Sequence, residues 1–175
     1  DYQGERYRTN ATLAVPEAKT LPLLIAALGP AMLKLAGTRT DGTTLWLTGP
    51  KTIADHTAPL IRQAAQEAGR REPRVIAGMP VVLTDKPVEA REMVSRQLAP
   101  YSNIPSYRAM LDREGAEAPG DVALVGNAAE LRQQIRALAD IGVTDLNAVL
   151  VNEDQATYES TLAFLADELK HDTTD

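Results

Sequence analysis

Apolar residues fall along this chain with two different periods. Leu21–Leu28 is a continuous apolar run with almost no polar interruption, which is how a strand buried on both faces reads. Thr43–Leu47 is β-branched and aromatic, Val75–Leu83 is rich in Val and Ile, and Leu146–Val151 supplies a fourth strand. Between them the period lengthens to that of a helix. Thr52–Ala68 places Ile53, Ala54, Ala58, Ile61, Ala64, Ala65 and Ala68 on one stripe, and Ala128–Asp140 does the same with Leu131, Ile135, Leu138 and Ala139.

Punctuation residues set the ends of these elements. Pro30 opens a short helix over Ala31–Ala36 that stops at Gly37, and Gly69 ends the helix after the second strand. Asp85 is the expected cap of a helix over Val88–Leu98, with Pro87 in its first turn. Ser106–Arg113 follows Pro105 and ends at Gly115. Ala123–Val125 is a brief apolar stretch closed by Gly126, Asn127 is an N-cap, and Gly142 ends the helix it starts. Gln155–Leu169 is the last helix. Residues 1–19 read as an extended arm or hairpin, with Tyr2, Tyr7 and Leu13 around a turn at Gly4, and 171–175 as a flexible polar tail.

Strands alternating with helices predict parallel β/α units with right-handed crossovers. Either a doubly wound sheet or half of an eight-stranded barrel fits. Composition narrows the chemistry. Eighteen basic against twenty-four acidic residues give a net charge of −6, with no basic stripe, which disfavours nucleic acid and anionic membranes as partners. The absence of cysteine removes disulfides, thiolate metal sites and cysteine nucleophiles. Leu21–Leu28 is far too short to span a bilayer and no signal peptide is visible, so a soluble cytoplasmic protein is expected. The chain begins without Met, as the middle of something longer would.

No dinucleotide or P-loop glycine motif is present. The two histidines, His56 and His171, have no partner at readable spacing, so neither a triad nor a histidine metal cluster can be built and no metal site is expected. His56 reads as a surface or satisfied histidine. The turn from Ala26 to Pro30 is the best candidate site. A glycine at the carboxyl end of a strand lets a ligand reach the main chain, and the next helix aims its free N–H groups at the same spot. On spacing alone, ordinary turn chemistry is the stronger explanation of the same residues. Trp46 ends its strand, where it could wall a planar ligand or fill the core. Tyr101 and Tyr107 bracket a break between helices and suit interface or lid packing first, with substrate contact as the alternative. The charges Arg108, Asp112, Arg113 and Glu114 read as a solvated helix face.

The run LIAALGPAMLKLAGTRTDGTTLWLTGPKTIADH, followed in order by VIAGMPVVLTD, PSYRAMLDREG, DVALVG and ALADIGVTDL, resembles the carboxyl-terminal half of the bacterial luciferase-like family. Within that family it is similar to the deazaflavin-dependent oxidoreductases that use coenzyme F-420. The resemblance implies a (β/α)8 TIM barrel, of which residues 20–170 cover about the last four β/α units. It implies a cofactor phosphate around Ala27, Leu28, Gly29, Pro30, Met32, Gly42 and Thr43, and a cavity lined by Trp46, Thr48 and Gly49. It implies hydride transfer with F-420, or oxygen chemistry with FMN in a monooxygenase branch, on a small-molecule substrate, and names no catalytic acid or base here. Four strands cannot close a barrel. The chain is therefore expected to be a fragment or a half-barrel, one that self-associates as a homo-oligomer or pairs with a missing amino-terminal half. A non-catalytic flavin-binding module is the alternative.

Overall fold

Residues 1–12 and 21–172 are described from a computed structural model. The arm begins with a small antiparallel pairing of β1 (Tyr2–Gln3) with β2 (Arg8–Thr9), Tyr2 opposite Thr9, across a turn where the Gly4 N–H donates to the Tyr7 carbonyl at 2.9 Å. Leu13 and the rest of the arm to residue 19 lie outside the described residues.

The remainder alternates between strand and helix. β3 (Leu24–Ala26) leads to α1 (Pro30–Arg39), and β4 (Gly42–Trp46) to α2 (Pro50–Thr52). A π-helical turn, Ile53–Thr57, joins α2 without a break to α3 (Ala58–Glu67). Then come β5 (Arg74–Leu83), α4 (Pro87–Gln97), a 3-10 turn over Ala99–Asn103, and α5 (Pro105–Glu114). After a second 3-10 turn, Pro119–Val122, the chain closes with β6 (Leu124–Gly126), α6 (Ala128–Asp140), β7 (Asp145–Leu150) and α7 (Gln155–Asp172). No helix among the described residues is long and apolar enough to cross a membrane.

All five strands from β3 to β7 form one parallel sheet in which β3 pairs β4 and β4 pairs β5. β5 is long enough to hold two neighbours on one edge. At Ile76–Gly78 it pairs with both β4 and β7, so these lie on opposite edges; at Val81 it pairs with both β7 and β6. β6 thus takes up the edge of β5 that β4 leaves after Trp46. Among the described residues β3, β6 and β7 each pair with a single neighbour, and the sheet does not close into a barrel.

Strand alternation sends successive side chains to opposite faces. One face, with Leu45, Val75, Ala77, Met79 and Val81, packs against Leu33, Ala36, Ile61, Leu131, Leu138 and Phe164 of the helices. Ala26, Thr44, Trp46, Ile76, Gly78 and Asn147 share the other, which carries a cleft at the carboxyl ends of the strands. The expectation that the first run is buried on both faces is corrected here. Leu21 is 80 % and Leu23 58 % exposed, and only Leu24–Ala26 is strand, because β3 is an edge strand with its cleft-facing side open.

Three further readings change. Leu124 and Val125 of the brief apolar stretch, with Gly126, form a true fifth parallel strand, too short to show a period. Helix α1 does not stop at Gly37 but runs to Arg39. Gly37 is buried inside it because a Cβ there would lie 2.5 Å from the Ile61 carbonyl oxygen and 2.8 Å from Ala64 Cβ; α1 and α3 cross with their backbones nearly touching. Asp85 does not cap α4, whose N-cap is Lys86, with no side-chain capping bond. Asn127 does cap α6: its side chain accepts from Ala129 and Glu130 N–H while Glu130 returns a bond to the Asn127 N–H.

Candidate functional site

At the carboxyl ends of β3 and β4, and beside the middle of β7, lies a cleft of about 510 Å³, lined by Ala26, Leu28, Gly29, Met32, Thr44, Leu45, Trp46, Ser106, Tyr107 and Asn147. None of these side chains is charged. The fixed charge facing the space is that of the helix starts at its rim. In α1, Pro30 has no N–H, the Leu33 N–H is satisfied by the Gly29 carbonyl at 2.9 Å, and no acidic residue stands in the first turn. The Ala31 and Met32 N–H groups have no acceptor within the helix, and they carry the positive end of its dipole. Gly29 has ordinary extended geometry, φ −83°, and a Cβ on it would meet nothing within 4 Å. Among the described residues nothing demands glycine there.

The same local structure occurs a second time. Gly49 is the N-cap of α2 at φ −73° and ψ 163°, against −83° and 161° at Gly29, and Pro50 follows as Pro30 does. At this second turn the free N–H groups are occupied. Lys51 N–H donates to Glu114 Oε1 at 3.1 Å and Thr52 N–H to Glu114 Oε2 at 2.7 Å. The carboxylate comes from the last residue of α5, whose chain turns away at Gly115, φ +81°. The Gly-Pro helix start therefore holds an oxyanion within this very molecule, and Glu114 is no idle member of a solvated face.

Aromatic side chains form the wall opposite Gly29. Trp46 meets Tyr101 edge-on with centroids 6.0 Å apart, and Tyr101 meets Tyr107 likewise at 5.1 Å. Leu47 holds a φ of +50°, a conformation that costs a residue with a Cβ about 1–2 kcal/mol. Its side chain is fully buried with Leu111 and Val122, which offsets that cost and swings the chain away from the sheet after Trp46. Burial, and then the neighbouring Tyr101, push the Tyr107 hydroxyl above its ordinary value of 10.0, so it stays protonated as a donor. Trp46 Nε1 is buried without a hydrogen-bond partner.

Of the residues to which the sequence points, Ala26, Leu28, Gly29, Met32, Trp46 and Tyr107 come together in the cleft. Pro30 is exposed beside it. Ala27 is buried in the helix-side core, where its N–H donates to Thr43 Oγ1 at 3.2 Å, so Thr43 also faces away from the cleft. Gly42 lies at the amino end of β4, opposite in register to Arg74, whose carbonyl oxygen would be 2.1 Å from a Cβ on it; that crowding and its φ of +152° account for the glycine. Thr48 is buried and bonds the Trp46 carbonyl at 3.3 Å, and Gly49 lies against Glu114. Thr44, Ser106 and Asn147 escape the sequence reading. They reach the cleft through strand register and the placement of α5, neither of which leaves a local pattern. His56 is 6 % exposed and satisfied by the Leu28 carbonyl at 3.0 Å. No group of three or more His, Cys, Asp or Glu suited to a metal ion occurs among the described residues.

Residues 1–145 match the model of the luciferase-like monooxygenase family. Over 72 residues the chain is 39 % identical to the F-420-dependent glucose-6-phosphate dehydrogenase of Nakamurella multipartita, a match covering 40 % of this chain and 21 % of that protein. Its fold is similar to the coenzyme F-420-dependent tetrahydromethanopterin reductase of Methanopyrus kandleri, with a TM-score of 0.68 at 22 % identity, covering 86 % of this chain and 51 % of the other. It is also similar to the FMN complex of a type II Baeyer–Villiger monooxygenase, the oxygenating constituent of 3,6-diketocamphane monooxygenase from Pseudomonas putida. There the TM-score is 0.58 at 19 % identity, over 81 % of this chain and 45 % of that one. The chain thus spans about half the length of these solved relatives and about a fifth of the dehydrogenase. The match to the family model covers most of its length, and the chain belongs to the luciferase-like monooxygenase family.

Proposed function

We propose that this chain forms the phosphate-binding part of a deazaflavin-dependent oxidoreductase, with coenzyme F-420 as the cofactor, and works in the cytoplasm on a small-molecule substrate. The observation that carries the reading is the free Gly29-Pro30 helix start at the rim of an uncharged cleft, beside a structurally equivalent start that seats a carboxylate. The fit to a phosphorylated planar ligand is good on three counts. The cleft volume is in the usual range for such ligands. A Cβ at Gly29 would project into open space, and Trp46 Nε1 is a buried donor without a partner.

Ala31 and Met32 N–H groups would hold the phosphate, while Leu28, Met32 and Trp46 would flank the ring system and exclude water. When bound, the deazaflavin supplies the hydride acceptor or donor. The Tyr107 and Ser106 hydroxyls line the cleft as hydrogen-bond donors, the Tyr107 value being raised by burial and then by Tyr101. No carboxylate or imidazole lines the space, so the ionisable general acid or base of the reaction would come from elsewhere.

FMN is the second reading, supported by the FMN-bound neighbour among the solved structures. A helix start reads phosphate and not the ring, so it does not separate the two. Fluorescence titration with F-420, FMN and riboflavin decides between them. Preference for F-420 over FMN supports the first reading and the reverse supports the second. Equal affinity for FMN and riboflavin removes the phosphate site from both. The edges of β3 and β7 that have no strand partner among the described residues extend the proposal to an oligomer, or to pairing with a further β/α half, because unpaired strand edges seek partners. A clean monomer at every concentration in light scattering would remove self-association.

A further inference from the structure

His56 lies on the π-helical turn Ile53–Thr57, between α2 and α3, and points its ring at the turn that precedes α1. Its Nε2 lies 3.0 Å from the Leu28 carbonyl oxygen. A carbonyl can only accept, so Nε2 carries the proton and His56 is the donor. A π-helical turn is a rare local distortion of a helix and is frequently found at functional sites. No peptide bond among the described residues is cis. In a trans peptide the N–H points opposite to the C=O. Pinning the Leu28 carbonyl toward α3 therefore turns the Gly29 N–H away from His56, on the side where Leu28 and Gly29 line the cleft. Glycine, with no Cβ and open space around it, is the residue least able to hold that plane by itself.

We propose that His56 is a positioning residue: it locks the Leu28–Gly29 peptide plane so that the Gly29 N–H joins those of Ala31 and Met32 in one anion-binding nest. This rests on the cofactor-phosphate reading of the Gly29-Pro30 turn and adds to it a fixed donor and the residue that fixes it. Helix α1 is then held at two points on the α2–α3 run. Gly37 sets the close approach of the helix bodies, and His56 sets the peptide at the mouth.

The test compares the unaltered chain with His56→Leu, which keeps bulk without a donor, and His56→Gln, which keeps an N–H donor. The quantity read is the ratio of riboflavin to FMN dissociation constants, which isolates the phosphate. His56→Leu is expected to lower that ratio by about tenfold through FMN alone, with riboflavin affinity unchanged, and His56→Gln to restore it. An unchanged ratio in His56→Leu overturns the proposal. If the unaltered chain shows no phosphate preference, the cofactor reading fails, and the Gly29 amide resonance still judges His56. A Gly29 shift and exchange rate altered in His56→Leu and restored in His56→Gln support the locked plane, and identical values in all three overturn it. Should His56→Leu fail to fold, imidazole nitrogen NMR of the unaltered chain decides. A protonated, slowly exchanging Nε2 is required, and a proton on Nδ1 alone contradicts the donor assignment.

Discussion

Replacing Glu114 by Ala tests the anion-seat reasoning on the copy of the turn where the anion is built in. The side chain accepts two backbone hydrogen bonds, from Lys51 and Thr52, and does at α2 what a capping side chain does elsewhere. Loss of such a cap costs about 1–2 kcal/mol, the upper part applying because the acceptor is ionised and the Thr52 bond is partly buried. For a chain of this size that corresponds to a fall in Tm of roughly 3–6 °C. The vacated N–H groups should then accept an external oxyanion. Sulfate at about ten times its dissociation constant returns about 1.4 kcal/mol to Glu114→Ala. Sulfate also stabilises proteins generally, so the gain is read against the unaltered chain at equal sulfate. Gly49→Ala provides a second route to the same state, because its Cβ would lie 2.2 Å from Glu114 Cδ and push the carboxylate off. The two substitutions should therefore be far from additive in thermal or urea unfolding. An unchanged Tm in Glu114→Ala, or a sulfate gain no larger than in the unaltered chain, would refute the reasoning that a Gly-Pro helix start here is an oxyanion seat.

The other glycines separate packing from binding. Gly37→Ala places a methyl against the Ile61 carbonyl and Ala64 Cβ across the α1–α3 crossing and should cost about 1–3 kcal/mol in denaturant unfolding. Gly29→Ala meets no atom, so its gain in the unfolded state and its loss as an N-cap should leave stability within about 1 kcal/mol. Its affinity for FMN should nevertheless fall while riboflavin binding persists. Asp145 is held below the ordinary 3.8 by its hydrogen bonds with Arg74 and Thr144, which outweigh its desolvation. A lowered folded-state value contributes stability that is present above 3.8 and is lost as the pH falls from there through the lowered value. Acid unfolding curves of Asp145→Asn should accordingly be flatter below pH 3.8 than those of the unaltered chain.

The alternation of strands and helices was legible because each element carries its own period, as in Val75–Leu83 and Ala128–Asp140. Caps set by one residue and its near neighbours, such as Asn127 with Glu130, were legible for the same reason. Properties set by distant partners were not. Gly37 looked like a helix stop because its reason, the backbone of α3, is more than twenty residues away in sequence. Leu124–Gly126 became a strand only because β4 leaves the edge of β5 free beyond Trp46. Glu114 read as solvated because the helix start it caps is 62 residues away. In the cleft, Leu28, Gly29 and Trp46 could be found from strand ends, whereas Thr44 and Asn147 depend on register across β5. Gly42 shows the opposite case: the Arg74 backbone and a φ of +152° give it a packing reason that no local pattern displays.

Amide chemical-shift mapping of the chain with FMN and with riboflavin tests the central claim most directly. FMN is expected to move the Gly29, Ala31 and Met32 amides together with the Trp46 indole N–H, and riboflavin to leave those three amides in place. Shifts at Gly29, Ala31 and Met32 that are the same for both ligands, or absent with FMN bound, would contradict it.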